Sequence, residues 1–165
     1  MSLKRFSELF LDLDSNNSTS TKIEILRNYF LSNKPLENAW TIYLLNGKNN
    51  KRFVSGKYLK TIFSDLYEYP MWLIDSCYLK VGDSAEVISL LLKNKKHFSN
   101  KILESISLNE LMVNTLPKIL VLDEPQRKLK IKDIWEQLPK ENHLVFNKIL
   151  TGTFRVGVSI GLITK

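Results

Sequence analysis

Two stretches of this chain carry the side chains best suited to chemistry, and both are basic. Asn46 to Lys60 reads NGKNNKRFVSGKYLK, with Lys48, Lys51, Arg52, Lys57 and Lys60 and no acid among them. Gly152 to Ser159 reads GTFRVGVS, where Arg155 stands between two glycines and two apolar residues. Lys and Arg without counter-charges suit phosphate oxygens, and such contacts depend on salt and carry little sequence information. Gly152 and Gly157 have no Cβ, so the backbone between them can lie close to a ligand. An arginine there would gain from the negative potential of a narrow minor groove. The alternative is a plain connection between helices in which Arg155 pairs with a carboxylate at the core edge, and these residues alone leave the two open. Lys93 to Lys101 and Arg127 to Lys132 are further acid-free runs, and Lys22 stands at a helix start, where free N–H groups also favour an anion.

Other chemistries lack their residues. His97 and His143 lie far apart, in no metal-ligand spacing, and read as surface or capping residues. The sequence has no phosphate-binding loop ending in Gly-Lys-Ser/Thr and no glycine-flanked serine nucleophile, which leaves nucleotide hydrolysis and acyl transfer unsupported. Asp12 with Asp14, and Asp123 with Glu124, are carboxylate pairs, but both read as acids of caps and turns and not as a Mg²⁺ site. Cys77, the single cysteine, excludes an internal disulfide and reads as a small buried hydrophobe.

The elements that position the basic stretches come from apolar spacing. Six glycines and repeated three-and-four periodicity predict an all-α domain. Thr21 with Glu24 reads as a capping box opening a helix with Ile23, Leu26, Tyr29 and Phe30. Pro35 opens a second, carrying Leu36, Trp40, Tyr43 and Leu44 and stopping at Asn46-Gly47. Leu59, Ile62, Phe63 and Leu66 outline a third. Pro70 opens a fourth with Leu73, Ile74 and Cys77, which stops at Gly82; Asp83 and Glu86 cap the next, with Val87, Leu90 and Leu91. Pro117 interrupts an apolar stretch, Asp123-Glu124-Pro125 marks a turn, and a helix is expected on each side. Ile131, Ile134, Trp135 and Leu138 suit one helix. Val145, Phe146, Ile149 and Leu150 suit another, begun by Pro139 and closed by Gly152.

A length of 165 residues suits one domain, taken as 4–165, with Met1-Ser2-Leu3 read as an expression remnant. The 24 Lys and Arg against 17 Asp and Glu give net +7, which favours a polyanion such as nucleic acid, or an anionic membrane face. No apolar run approaches the ~20 residues of a membrane span, and no signal-peptide pattern is present, so the reading is a soluble cytoplasmic protein. The final segment, Val158 to Lys165, has the composition of a helix start and then stops, as expected of a piece of something longer.

Four stretches resemble a known family: STSTKIEILRNYF (Ser18 to Phe30), AWTIYLLNGK (Ala39 to Lys48), VGDSAEVISLLL (Val81 to Leu92) and NKILTGTFRVGVS (Asn147 to Ser159). Their order is similar to that in the N-terminal DNA-binding domain of multidomain ATP-dependent DNA ligases, most of all the bacterial branch. The resemblance runs from Arg5 onward, though Ser99 to Leu138 carries no shared motif. It implies a compact multi-helix domain that grips the minor groove and phosphate backbone of nicked duplex DNA without sequence preference. It also implies a parent enzyme active in repair, replication and recombination at the nucleoid, using ATP and Mg²⁺; nothing in the pattern requires more than a monomer. The catalytic nucleotidyltransferase and OB-fold domains would lie beyond residue 165. The adenylation signature, Lys-x-Asp-Gly, is absent, since KVGD and KIKD have the wrong order.

Position by position, the resemblance implies phosphate contact at Thr21 and Lys22. It implies a basic DNA-binding loop with Gly47, Lys48, Lys51 and Arg52, and a minor-groove turn with Gly152, Thr153, Arg155, Gly157 and Ser159. Gly82 and Asp83 also match, and read as a helix stop and a helix cap. Thr153 departs from the small or basic residue common in the family. Two other classes stay in view: a helical module whose basic loops meet an acidic protein, and a small helical glycosylase with a catalytic Asp or Lys and a pocket for an extruded base.

Overall fold

The structure, a computed structural model, describes residues 3–47, 50–95, 103, 105–154 and 156–163. Among these residues there are helices and no strands, as the periodicity predicts. In chain order they are α1 (Leu3–Ser15), α2 (Thr19–Ser32), α3 (Pro35–Asn46), α4 (Gly56–Tyr67), α5 (Met71–Val81) and α6 (Ser84–Lys93). There follow α7 (Leu108–Glu110), a π turn (Leu111–Thr115), α8 (Leu116–Val121), α9 (Glu124–Gln137), a 3-10 turn (Lys140–Asn142), α10 (His143–Thr151) and α11 (Ile160–Ile163).

The centre is the pair α6 and α10, with α1, α4 and α5 packed around it. Buried polar groups fix their register: Asn147 accepts from Trp135 Nε1 at 2.8 Å and donates to Ser89 Oγ at 3.0 Å. That one amide ties α9, α10 and α6 together, and a buried amide left unpaired would cost about 1–3 kcal/mol.

Helix ends follow the expected punctuation in most places. Gly47, Gly82 and Gly152 sit at left-handed φ after α3, α5 and α10, and Asp83 Oδ1 accepts from Glu86 N at 3.0 Å to cap α6. Asp123 caps α9 in the same way through Gln126 N at 2.9 Å.

Several expectations need correction. The α2 cap is Ser18, whose Oγ takes Thr21 N at 3.4 Å, so Thr21 lies inside the first turn and makes no capping box with Glu24. Leu3, read from sequence as lying outside the domain pattern, is part of the fold: it is fully buried, and its N–H donates to Ile106 O at 2.6 Å. It opens α1, whose Leu3, Phe6, Leu9, Phe10 and Leu13 enter the core. Asp12 and Asp14 are exposed on that helix and cap nothing. His143 is neither surface nor cap: it is fully buried, with Nε2 on the Trp135 carbonyl at 2.8 Å. Cys77 is only half-buried. His97 lies outside the described residues.

The stretch without shared motifs is held by a charge. Glu37, in the first turn of α3, is buried, and its carboxylate accepts from Leu108 N at 2.9 Å and Asn109 N at 3.0 Å. It thus satisfies free N–H groups where α7 begins. This rotates α3 from the expected apolar stripe: Glu37, Thr41, Leu44 and Leu45 face inward and Leu36 is exposed. Pro117 does not break the segment, because the π turn before it absorbs the register change and Pro117 sits in the first turn of α8.

Candidate nucleic-acid interface

The loop between α3 and α4 is built to show its cations. Phe53 and Val54 are buried, and both N–H groups donate to the Leu150 carbonyl at the end of α10, at 2.9 and 3.0 Å. Asn50 Nδ2 holds Leu44 O at 2.8 Å, and Lys51 N donates to the Tyr43 hydroxyl at 2.9 Å. With the backbone anchored this way, Lys51, Arg52 and Lys57 stay exposed. Among the described residues none of the three has a carboxylate within ion-pair distance. Lys60, in the same acid-free run, differs: it pairs with Asp75 at 2.6 Å.

The turn after α10 folds against that loop, and glycines permit the approach. A Cβ at Gly152 would lie 3.3 Å from Asn50 O and 3.4 Å from Lys51 O, and one at Gly47 would lie 3.1 Å from Phe154 O. At both positions the missing side chain makes room for protein backbone. The clearance read from sequence as access for a ligand is therefore used inside the molecule at Gly152. Phe154 anchors the turn, its ring 5.8 Å from Phe6 and 5.6 Å from Phe10. Burying it contributes about 1.5–3 kcal/mol, more than the ~1 kcal/mol of a typical hydrogen bond, so packing holds this end of the turn.

Between loop and turn lies a hollow of about 220 Å³, lined by Arg52, Gly56, Asp83, Ser84, Thr151 and Thr153 among others. The first residues of α4 and α6 meet here, for a Cβ on Gly56 would come within 2.8 Å of Ser84 Oγ. Asp83 adds no free negative charge, since its Oδ2 pairs with Lys148 at 2.8 Å. Thr153 shares a hydroxyl contact with Thr151 at 2.8 Å.

The structure gathers Lys51, Arg52, Gly47, Gly152 and Thr153 on one surface. Ser159 is exposed nearby, its carbonyl accepting from Leu162 N at 2.9 Å to begin α11. Thr21 is half-buried. Lys22 is nine-tenths buried, and its Nζ donates to Val156 O at 2.7 Å. Lys48 and Arg155 lie outside the described residues. Lys57, in the basic run but in no matched motif, joins the patch because it follows the Ser55 cap at the start of α4. Tyr43 and Asn50, which brace the loop, were missed, because a hydroxyl or amide reaching backbone leaves no periodic trace.

The other basic runs diverge from their reading. Arg127 is turned onto the carbonyls of Ile119, Leu120 and Leu122. Lys128 bridges Asp65 and Glu124, Lys130 meets Asp133 and Lys132 meets Glu136. Each cation of that run thus has a partner within the fold. Of the Lys93 to Lys101 run, Lys95 lies 4.4 Å from the Tyr69 ring centre, and residues 96–101 lie outside the described ones.

No His, Cys, Asp or Glu group of three or more converges among the described residues, and none of their helices is long and apolar enough to cross a membrane. No curated protein is similar enough to match. The family model described as DNA ligase N terminus matches residues 2–165, which takes in the basic loop, the glycine turn and the stretch docked by Glu37 alike. The chain belongs to the DNA ligase N-terminus family.

Proposed function

We propose that this domain binds duplex DNA without sequence preference, through phosphates and the minor groove, as the gripping part of an ATP-dependent ligase that seals nicks in repair and replication. The observation that carries the reading is the selective pairing of charge. Each cation of the Arg127 to Lys132 run has a partner in the fold, whereas Lys51 and Arg52 on the braced loop and Lys57 at the start of α4 have no carboxylate partner among the described residues. Exposed cations on a braced backbone suit an anionic partner, and membership of the DNA ligase N-terminus family supports reading that anion as DNA.

The residues here do not fit ATP or Mg²⁺: the sequence lacks Lys-x-Asp-Gly, and no acidic cluster forms among the described residues. Both are assigned to catalytic domains elsewhere in the parent polypeptide, a bacterial cytoplasmic enzyme acting as a monomer. The chain by itself grips and does not ligate. Arg155 lies outside the described residues; on this reading it contacts the minor groove, as the resemblance implies.

Mobility-shift titrations on nicked and intact duplexes test the assignment. Arg155→Ala, or Lys51→Ala with Arg52→Ala, is expected to weaken binding on every sequence alike. The double variant should also flatten the slope of log affinity against log salt by about 2. Unchanged affinity in both variants would count against the surface, and retention by an acidic protein with no affinity for duplex would count for the other class of partner.

A further inference from the structure

Lys22 does not sit as a phosphate-contacting lysine should. It is 9% exposed, its Nζ donates to Val156 O at 2.7 Å, and it has no carboxylate partner among the described residues. An ammonium taken from water needs compensation, and here the carbonyl of the turn supplies it. Gly157 completes the seat: at φ 61° it lies in the left-handed region, and a Cβ there would stand 3.1 Å from Lys22 Nζ. Val156, between the buried Phe154 and that glycine, is itself buried.

The turn is therefore held at two places. Phe154 packs on α1, and Lys22, 134 residues before Val156 along the chain, grips the Val156 carbonyl. We infer that Lys22 is a positioning residue: its ammonium, admitted by the missing side chain of Gly157, fixes the backbone of the turn and does not itself bind a DNA phosphate. This rests on the DNA-binding reading for its effect on affinity, while the clamp itself is a property of the free protein. Gly157 accordingly serves the lysine, and its absent Cβ is not clearance for the duplex.

Lys22→Met keeps the stem and removes the ammonium; Gly157→Ala keeps the charge and crowds its seat. In the DNA-free protein both should speed hydrogen exchange of the amides around Val156 while leaving α6 and α10 protected. On nicked duplex both should weaken binding, and the double variant should bind within about threefold of the weaker single one, because one contact is broken twice. A lysine that touched phosphate directly would lose affinity in Lys22→Met and leave Gly157→Ala with affinity intact, since the charge remains; two independent contacts would give losses that multiply. Intact affinity in Gly157→Ala, multiplying losses, or turn amides that exchange in Lys22→Met as they do in the wild type overturn the inference. If the wild type binds no duplex, the DNA reading fails, and the exchange measurement still decides the clamp.

Discussion

The imidazole of His143 has no exposed surface, and its Nε2–H is held by the Trp135 carbonyl. Burial disfavours the charged ring and pushes its pKa below the ordinary 6.5. The unfolded ring takes up a proton near that value and the folded ring only lower, so the unfolded state binds more protons in the interval. The stability contributed by the neutral ring is full above about pH 6.5 and is lost as the pH falls from there through the depressed folded value. Thermal melts between about pH 7.5 and 5 should show the wild type losing stability faster than His143→Gln; parallel profiles would contradict it. A lone histidine carries no periodic signal, which is why the sequence left its burial unread. The same holds for Glu37, an acid that looks like first-turn decoration of α3 and is a buried cap for a helix about 70 residues away.

At the scale of elements, the glycine turn and the basic loop form one unit. Gly152 combines a φ of 68° with carbonyls of the loop at contact distance. Gly152→Ala should cost about 1–2 kcal/mol from the left-handed conformation alone, and more if Asn50 and Lys51 must retreat. Urea unfolding would check this, and a variant as stable as the wild type would mean that loop and turn are not packed as described. Most helices were legible because their apolar spacing and their Pro, Gly and Asp punctuation agree. The chief omission, α1, was legible too: Leu3, Phe6, Leu9, Phe10 and Leu13 have helical spacing, masked by reading Leu3 as foreign and Asp12 and Asp14 as cap acids. The π turn was not legible, since nothing before Pro117 announces a register change. Nor could the sequence show that Gly152 clears space for its own chain, because a glycine looks the same whichever neighbour it admits.

Across the whole molecule, net +7 is a sum that hides its distribution. Three basic runs looked equivalent in sequence; tertiary partners decide between them, and Asp65, far from Arg127 to Lys132 along the chain, helps to silence that run. Of the described cations of the first run, Lys51, Arg52 and Lys57 stay exposed beside the end of α10 with a backbone braced by Tyr43, Asn50 and the Leu150 carbonyl. The central consequence is electrostatic. Fluorescence anisotropy of labelled duplexes, titrated across salt on two unrelated sequences, tests it most directly. The account predicts equal affinities on both sequences and a log–log slope of about −3 or steeper, from Lys51, Arg52 and Lys57 together with any further contacts. A flat salt dependence, or no binding that grows with duplex length, would contradict it.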